Sequence, residues 1–110
     1  MNYTKNQKRG ERKKLSRRND KFKKPIIRKT KGHCAYCGKG LRKQDYTFDH
    51  IVPVIDGGLT VYENLFLACE RCNTLKANLP LDDFKDLFIK SGLGYKGNQF
   101  WFEYKGIAVD

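Results

Sequence analysis

Acidic residues are almost missing from the first 31 positions, where Glu11 and Asp20 stand against 14 lysines and arginines. A segment so one-sided repels itself and buries little. It is excluded as the start of a packed core and reads instead as a flexible arm that seeks a polyanion. Long apolar runs are missing too: none approaches the roughly 20 residues that span a bilayer, and the N-terminus has no apolar core of the signal-peptide kind. The expected compartment is therefore the cytosol, where four cysteines point to metal binding rather than to disulfides. Histidine is scarce, so any imidazole chemistry falls to His33 or His50.

What is present divides unevenly along the chain. The 110 residues make one small domain of net charge +11, but residues 32–110 carry 9 basic against 10 acidic side chains, so the whole excess belongs to the first 31. Nucleic acid is the polyanion that fits, because neutralising its phosphates releases condensed counterions. An anionic membrane surface fits less well, since the arm has no amphipathic period and few large apolar residues beyond Leu15, Phe22, Ile26 and Ile27. We place the arm at residues 1–27, with Arg12, Lys13, Lys14, Arg17 and Arg18 as nucleic-acid contacts, and a folded domain over 28–110. Lys24-Pro25 is expected to interrupt any helix, and Ile26-Ile27 to be the first residues that touch the core.

The folded part is organised by two Cys-x-x-Cys pairs, Cys34/Cys37 and Cys69/Cys72. Each pair presents two sulfurs from a tight turn, and four thiolates are what a tetrahedral structural zinc requires. The 31 residues between the pairs exceed the about 15–20 of an ordinary zinc ribbon, which leaves room for an inserted hairpin. A domain this small has little core of its own, and zinc can add roughly 10–16 kcal/mol of apparent binding free energy to folding. His33 precedes the first pair; four sulfurs already suffice, so it reads as a residue beside the site or on the surface. Gly38 suits the left-handed turn that follows the second sulfur.

Tyr46 to Val52 is β-branched and aromatic and reads as a strand that Pro53 stops. Asp56-Gly57-Gly58 is a turn signal, and Leu59 to Leu67 reads as a shorter return strand or an irregular segment. A short helix is expected from Asn73 to just before Pro80. A second follows Pro80, with Asp82 and Asp83 at its positive end and Gly92 beyond it. Leu81, Phe84, Leu87 and Phe88 form its core-facing stripe. The alternation of Phe100, Phe102 and Tyr104 predicts a last strand or extended segment.

The loop between the cysteine pairs holds the acid, imidazole and amides of a candidate active centre. Cutting a phosphodiester in water needs a base for the water, a cation for the leaving oxygen and a grip on the phosphate. His50 is the candidate base, since an imidazole of pKa about 6.5 is neutral and basic at physiological pH. Asp49 is a hard oxygen ligand suited to Mg²⁺, which keeps several waters and takes few protein ligands. Asn73 adds an amide oxygen from the start of its helix, or caps that helix, or both. Asn64 either hydrogen-bonds to His50 or its backbone, fixing the ring, or is only a turn residue. Lys76 and Arg71 are candidate phosphate contacts, with a solvated helix face as the alternative for each. A regular strand sends Asp49 and His50 to opposite faces, so their joint use requires the strand to end, twist or bulge there.

Taken together, Cys34-x2-Cys37, Asp49-His50-Ile51-Val52-Pro53, Gly57-Gly58, Asn64-Leu65 and Cys69-x2-Cys72-Asn73-x2-Lys76 resemble the zinc-containing HNH endonuclease family over roughly residues 30–80. The resemblance implies a small α+β fold with a ββα-metal (His-Me finger) core. In that core a hairpin and a helix surround one divalent cation, and a four-cysteine zinc braces them. It implies His50 as general base, Asp49 and Asn73 as ligands of Mg²⁺ or Mn²⁺, and Asn64 as support of the histidine loop. Many members carry histidine where Asn73 stands, so this is an H-N-N version, and the amide tilts the site toward Mg²⁺ or Mn²⁺.

The implied activity is hydrolysis of DNA phosphodiesters, with nicking as the elementary event; double-strand cleavage needs a homodimer or two nicks. Two other readings stand beside it. One is a non-catalytic zinc module that binds nucleic acid. The other is a nuclease active only within a larger phage packaging or restriction assembly. The implied setting is the cytoplasm of a bacterial or phage-infected cell.

Overall fold

Two short segments, Thr47-Phe48-Asp49-His50 and Leu65-Phe66-Leu67-Ala68, are rich in aromatic and aliphatic side chains that can pack on a pleated backbone. In a computed structural model of the chain, described over residues 20–109, they pair antiparallel as β1 (Thr47–His50) and β2 (Leu65–Ala68). Phe48 lies opposite Leu67, and His50 opposite Leu65. The helices are α1 (Asp20–Lys29), α2 (Glu70–Lys76), α3 (Leu81–Lys90) and the single turn α4 (Trp101–Tyr104). A hairpin followed at once by a helix makes this an α+β fold with a ββα unit at its centre. Arg12, Lys13, Lys14, Arg17 and Arg18 lie outside the described residues.

Because side chains alternate along a strand, the hairpin separates two cores. On one face Phe48, Leu65 and Leu67 meet Ile26 of α1. On the other, Phe66 and Ala68 join Tyr36, Phe84, Phe88, Phe100 and Phe102. Both faces of β2 are therefore covered, and all four of its residues are buried. Two strands alone are marginal in water. Each fully buried Leu or Phe contributes about 1.5–3 kcal/mol, so the two cores are what hold the hairpin. Tyr36 is the hub of the larger core, with its ring edge-on to Phe84 at 5.0 Å and to Phe100 at 5.1 Å.

Tertiary contacts overrule four local expectations. Pro25 does not break its helix; it lies inside α1, where its missing N–H forfeits one main-chain bond. Its neighbour Ile26 is fully buried, and that packing holds α1, which runs through residue 27. Second, α2 begins at Glu70 rather than Asn73, because the Cys69 sulfur accepts the Cys72 N–H and caps the helix. Third, Phe100 to Tyr104 is not a strand. Phe100, Trp101 and Phe102 are buried in succession, and the N–H groups of Trp101 and Phe102 donate to Tyr36 O and Ala35 O at 2.8 Å. The Glu103 carboxylate then accepts from the Phe100 N–H at 2.9 Å and starts a helical turn, leaving Tyr104 half exposed. Fourth, Leu87 is exposed at the edge of the α3 stripe, while Phe84 and Phe88, one turn apart, make the core contact.

Gly38 is required on two counts. Its φ is +80°, and a Cβ there would lie 2.3 Å from the Trp101 ring. Among the described residues, no helix is long and apolar enough to cross a membrane.

Candidate active site

The four cysteines arrive from two elements. Cys34 and Cys37 flank the turn that Ala35 ties to β2 through its N–H to Leu67 O at 2.9 Å, while Cys69 caps α2 and Cys72 lies in its first turn. Their sulfurs all fall within 4.8 Å of one another, with Cys37 and Cys69 3.8 Å apart. A tetrahedral ion with bonds of about 2.3 Å needs sulfurs about 3.8 Å apart, so the spacing fits a metal. The electrostatics agree. Hydrogen bonding, first with Cys34, pulls Cys37 down to about 6 and Cys69 lower still. Cys34 and Cys72 are pushed above the ordinary thiol range by bonding first with Cys37 and Cys34 respectively. Sulfurs this close share protons among themselves; a cation between them is what lets all four ionise. His33 is not in this cluster: its Nδ1 lies 2.9 Å from Gly38 O and its ring stacks on Trp101 at 5.0 Å.

β1 ends at His50, so Asp49 and His50 stand together at one end of the hairpin, and the regular register sends them to opposite faces. Asp49 is buried and turned toward the cysteine turn and α2. Its Oδ2 accepts from the Tyr36 hydroxyl at 2.5 Å and lies 3.4 Å from Lys76 Nζ. Burial, then the Asp49 charge, holds the Tyr36 phenol well above its usual range, so it keeps its proton and remains a donor. His50 is buried on the other side, with Nε2 2.8 Å from Thr60 Oγ1.

Asn64 does not reach the imidazole through any of its three side-chain bonds. Its Oδ1 accepts from Val52 N–H at 2.8 Å, and its Nδ2 donates to Val52 O at 3.1 Å and Leu59 O at 2.9 Å. It clamps the loop that delivers Thr60 to His50, and its own carbonyl accepts the Ile51 N–H at 2.8 Å. Gly58 seals this clamp, since a Cβ there would sit 1.8 Å from Val52 O and 2.9 Å from Asn64 Nδ2. Gly58→Ala is accordingly expected to cost about 1–3 kcal/mol in urea denaturation, the range for overpacking a closed site.

Asn73 lies half-buried within α2, not at its cap. It is one turn before Lys76 and so on the helix face that meets Asp49. Lys76 itself corrects an expectation. It is fully buried, with Nζ donating to His50 O at 2.8 Å, so it is directed into the site's foundation rather than out to a phosphate. Arg71 is exposed and lines a cleft of about 270 Å³ with Lys39, Gln44, Thr47 and Glu70. Sequence reasoning missed Tyr36 and Thr60. Tyr36 sits between the first two cysteines, a position that signals nothing polar, and Thr60 is one hydroxyl in a loop with no spacing rule.

Residues 34–79 match the family described as HNH endonuclease. Over 64 residues, 57% of this chain, the sequence is 38% identical to a CRISPR-associated endonuclease Cas9 from Corynebacterium diphtheriae. The crystal structure of the Type II-C Cas9 enzyme from Actinomyces naeslundii superposes with a TM-score of 0.55 and 28% identity over 74% of this chain. The chain spans 6% of the first relative and 10% of the second. The matched segment runs from the first cysteine turn past α2 and takes in Asp49, His50, Asn64 and Asn73. Residues 34–79, with the two Cys-x-x-Cys pairs at their start and near their end, are thus similar to the HNH endonuclease family.

Proposed function

We propose that this protein is an endonuclease that hydrolyses DNA phosphodiesters, cutting one strand per centre. The observation that carries the reading is the placement of Asp49 and His50 at the loop end of the hairpin, with Asn73 on the helix that follows it. His50 takes a proton from the attacking water. Thr60 holds the ring by Nε2, and the Asn64 clamp fixes the loop on which Thr60 rides. Asp49, held from behind by Tyr36 and Lys76, and the Asn73 amide are the groups that hold a divalent ion, Mg²⁺ or Mn²⁺. When bound, such an ion would offset charge on the leaving 3′ oxygen, and attack of water on phosphorus with breakage of the P–O3′ bond gives 5′-phosphate and 3′-hydroxyl ends. Cys34, Cys37, Cys69 and Cys72 hold a structural zinc, which fits their sulfur spacing and all-thiolate chemistry. The matched family and the designation of the Corynebacterium diphtheriae relative as an endonuclease support the reaction class.

Incubating supercoiled plasmid with the zinc-loaded protein tests this directly. Nicked circles are expected with Mg²⁺ or Mn²⁺ and none with EDTA; intact plasmid under every metal condition contradicts the reading. The basic residues before α1, with Arg71 as an outlying contact, extend the DNA surface. Deleting residues 1–19 is expected to weaken duplex binding and to flatten its salt dependence, each lost phosphate contact lowering the log–log slope by about 0.9. Binding isotherms at several salt concentrations measure that slope, and an unaltered slope denies the segment its role.

A further inference from the structure

Lys76 is a lysine with no exposed surface, and its ammonium lies against two atoms of the candidate centre: His50 O at 2.8 Å and Asp49 Oδ2 at 3.4 Å. Tyr36 donates to the same Asp49 oxygen at 2.5 Å. A buried ammonium persists where a carboxylate compensates it. Here the compensating carboxylate is the one assigned to the divalent ion, so two cations have a claim on a single negative charge. Asp49 and Lys76 cancel, Asn73 contributes only a dipole, and His50 as general base is neutral. Between these four residues an arriving ion meets no net negative charge. A phosphodiester brings the missing charge and the oxygens that such an ion prefers.

We propose that Lys76 is a positioning residue that neutralises Asp49 in the free protein, so that the site takes up its divalent ion tightly only together with a phosphodiester. This rests on the reading of Asp49 and Asn73 as ligands. Tyr36 and Lys76 both engage Asp49 Oδ2, so the orientation of the carboxylate is set before DNA arrives. The seated phosphate then completes the electrostatics. The ion and the DNA backbone each raise the other's affinity by the same factor, as linkage requires.

The test measures Mn²⁺ uptake from the free-ion electron paramagnetic resonance signal, using zinc-loaded protein with and without a short duplex. A His50→Ala background keeps the duplex intact, and uptake by the duplex alone is subtracted. The protein with Lys76 is expected to bind Mn²⁺ roughly tenfold or more tightly when duplex is present, the scale on which one neighbouring charge shifts ion binding. Adding Lys76→Met is expected to raise the duplex-free affinity roughly tenfold and to shrink the duplex-dependent gain by a similar factor. A purely structural lysine cannot produce that gain in affinity on removal.

Equal affinity with and without duplex in the Lys76 protein overturns the inference. So does a folded Lys76→Met protein whose duplex-free affinity is unchanged or weaker. If circular dichroism shows Lys76→Met unfolded, the duplex dependence of the Lys76 protein decides alone. Asp49→Ala marks the reading beneath: uptake indifferent to Asp49 overturns the metal-site assignment and the inference with it, whereas Asp49-dependent uptake indifferent to Lys76 overturns only the inference.

Discussion

His50→Ala protein is expected to nick supercoiled plasmid about 10²–10⁴-fold more slowly than wild type, the contribution of a positioned general base. The effect falls on the chemical step because the substitution spares the scaffold. Lys76 bonds to the His50 carbonyl, not to its ring, and the β1–β2 pairing uses main-chain groups. What alanine removes is the imidazole that Thr60 orients through Nε2. Single-turnover nicking with saturating Mg²⁺ separates this loss from any change in DNA affinity, and a urea titration of the same protein shows whether the fold is retained. Equal rates for the two folded proteins contradict the assignment of the base.

The second large effect concerns the cysteines. Cys69→Ser is expected to abolish cooperative folding at 25 °C and not merely to slow the protein. Cys69 caps α2, accepts the Cys72 N–H at 3.4 Å and stands 3.8 Å from the Cys37 sulfur. A structural zinc contributes roughly 10–16 kcal/mol of apparent binding free energy, against a net stability of about 5–15 kcal/mol for an ordinary domain. Stripping the ion from wild-type protein with a strong chelator is expected to reproduce the mutant. The loss reaches the active centre by a short route: Tyr36 lies between Cys34 and Cys37 and donates to Asp49. Far-UV circular dichroism with zinc content by atomic absorption checks the claim. A folded Cys69→Ser protein that retains its zinc means the ligands have been misassigned.

Much of the architecture is visible in the chain because it depends on local chemistry. Doubled Cys-x-x-Cys spacing announces the sulfur cluster. The helix that follows Pro80 is where the residue types place it, and the strand expected over Tyr46 to Val52 forms over its middle, Thr47–His50. The features that escape reading are those whose partners lie far away in sequence. Phe100 to Tyr104 alternates like a strand, but its amides find the carbonyls of Ala35 and Tyr36 and it coils instead. Pro25 is a helix breaker by rule, yet Ile26 is buried 39 or more residues from its β2 partners, and no local rule carries that term. The site divides in the same way. His50, Asp49, Asn64 and Asn73 stand out by type and spacing. Tyr36, Thr60 and the burial of Lys76 become visible only when the turn, the loop and α2 close around β1.

The account stands on the convergence of Asp49, Asn73 and the position of His50 on one sugar–phosphate linkage. A crystal structure of the His50→Ala protein with a short duplex and Mn²⁺ tests this, because manganese can be located by anomalous scattering. The expected result is one manganese bound by the Asp49 carboxylate, the Asn73 amide oxygen and a phosphate oxygen, with the space of the missing imidazole facing the same phosphorus. Manganese bound elsewhere, or a duplex seated away from the loop end of the hairpin, contradicts it.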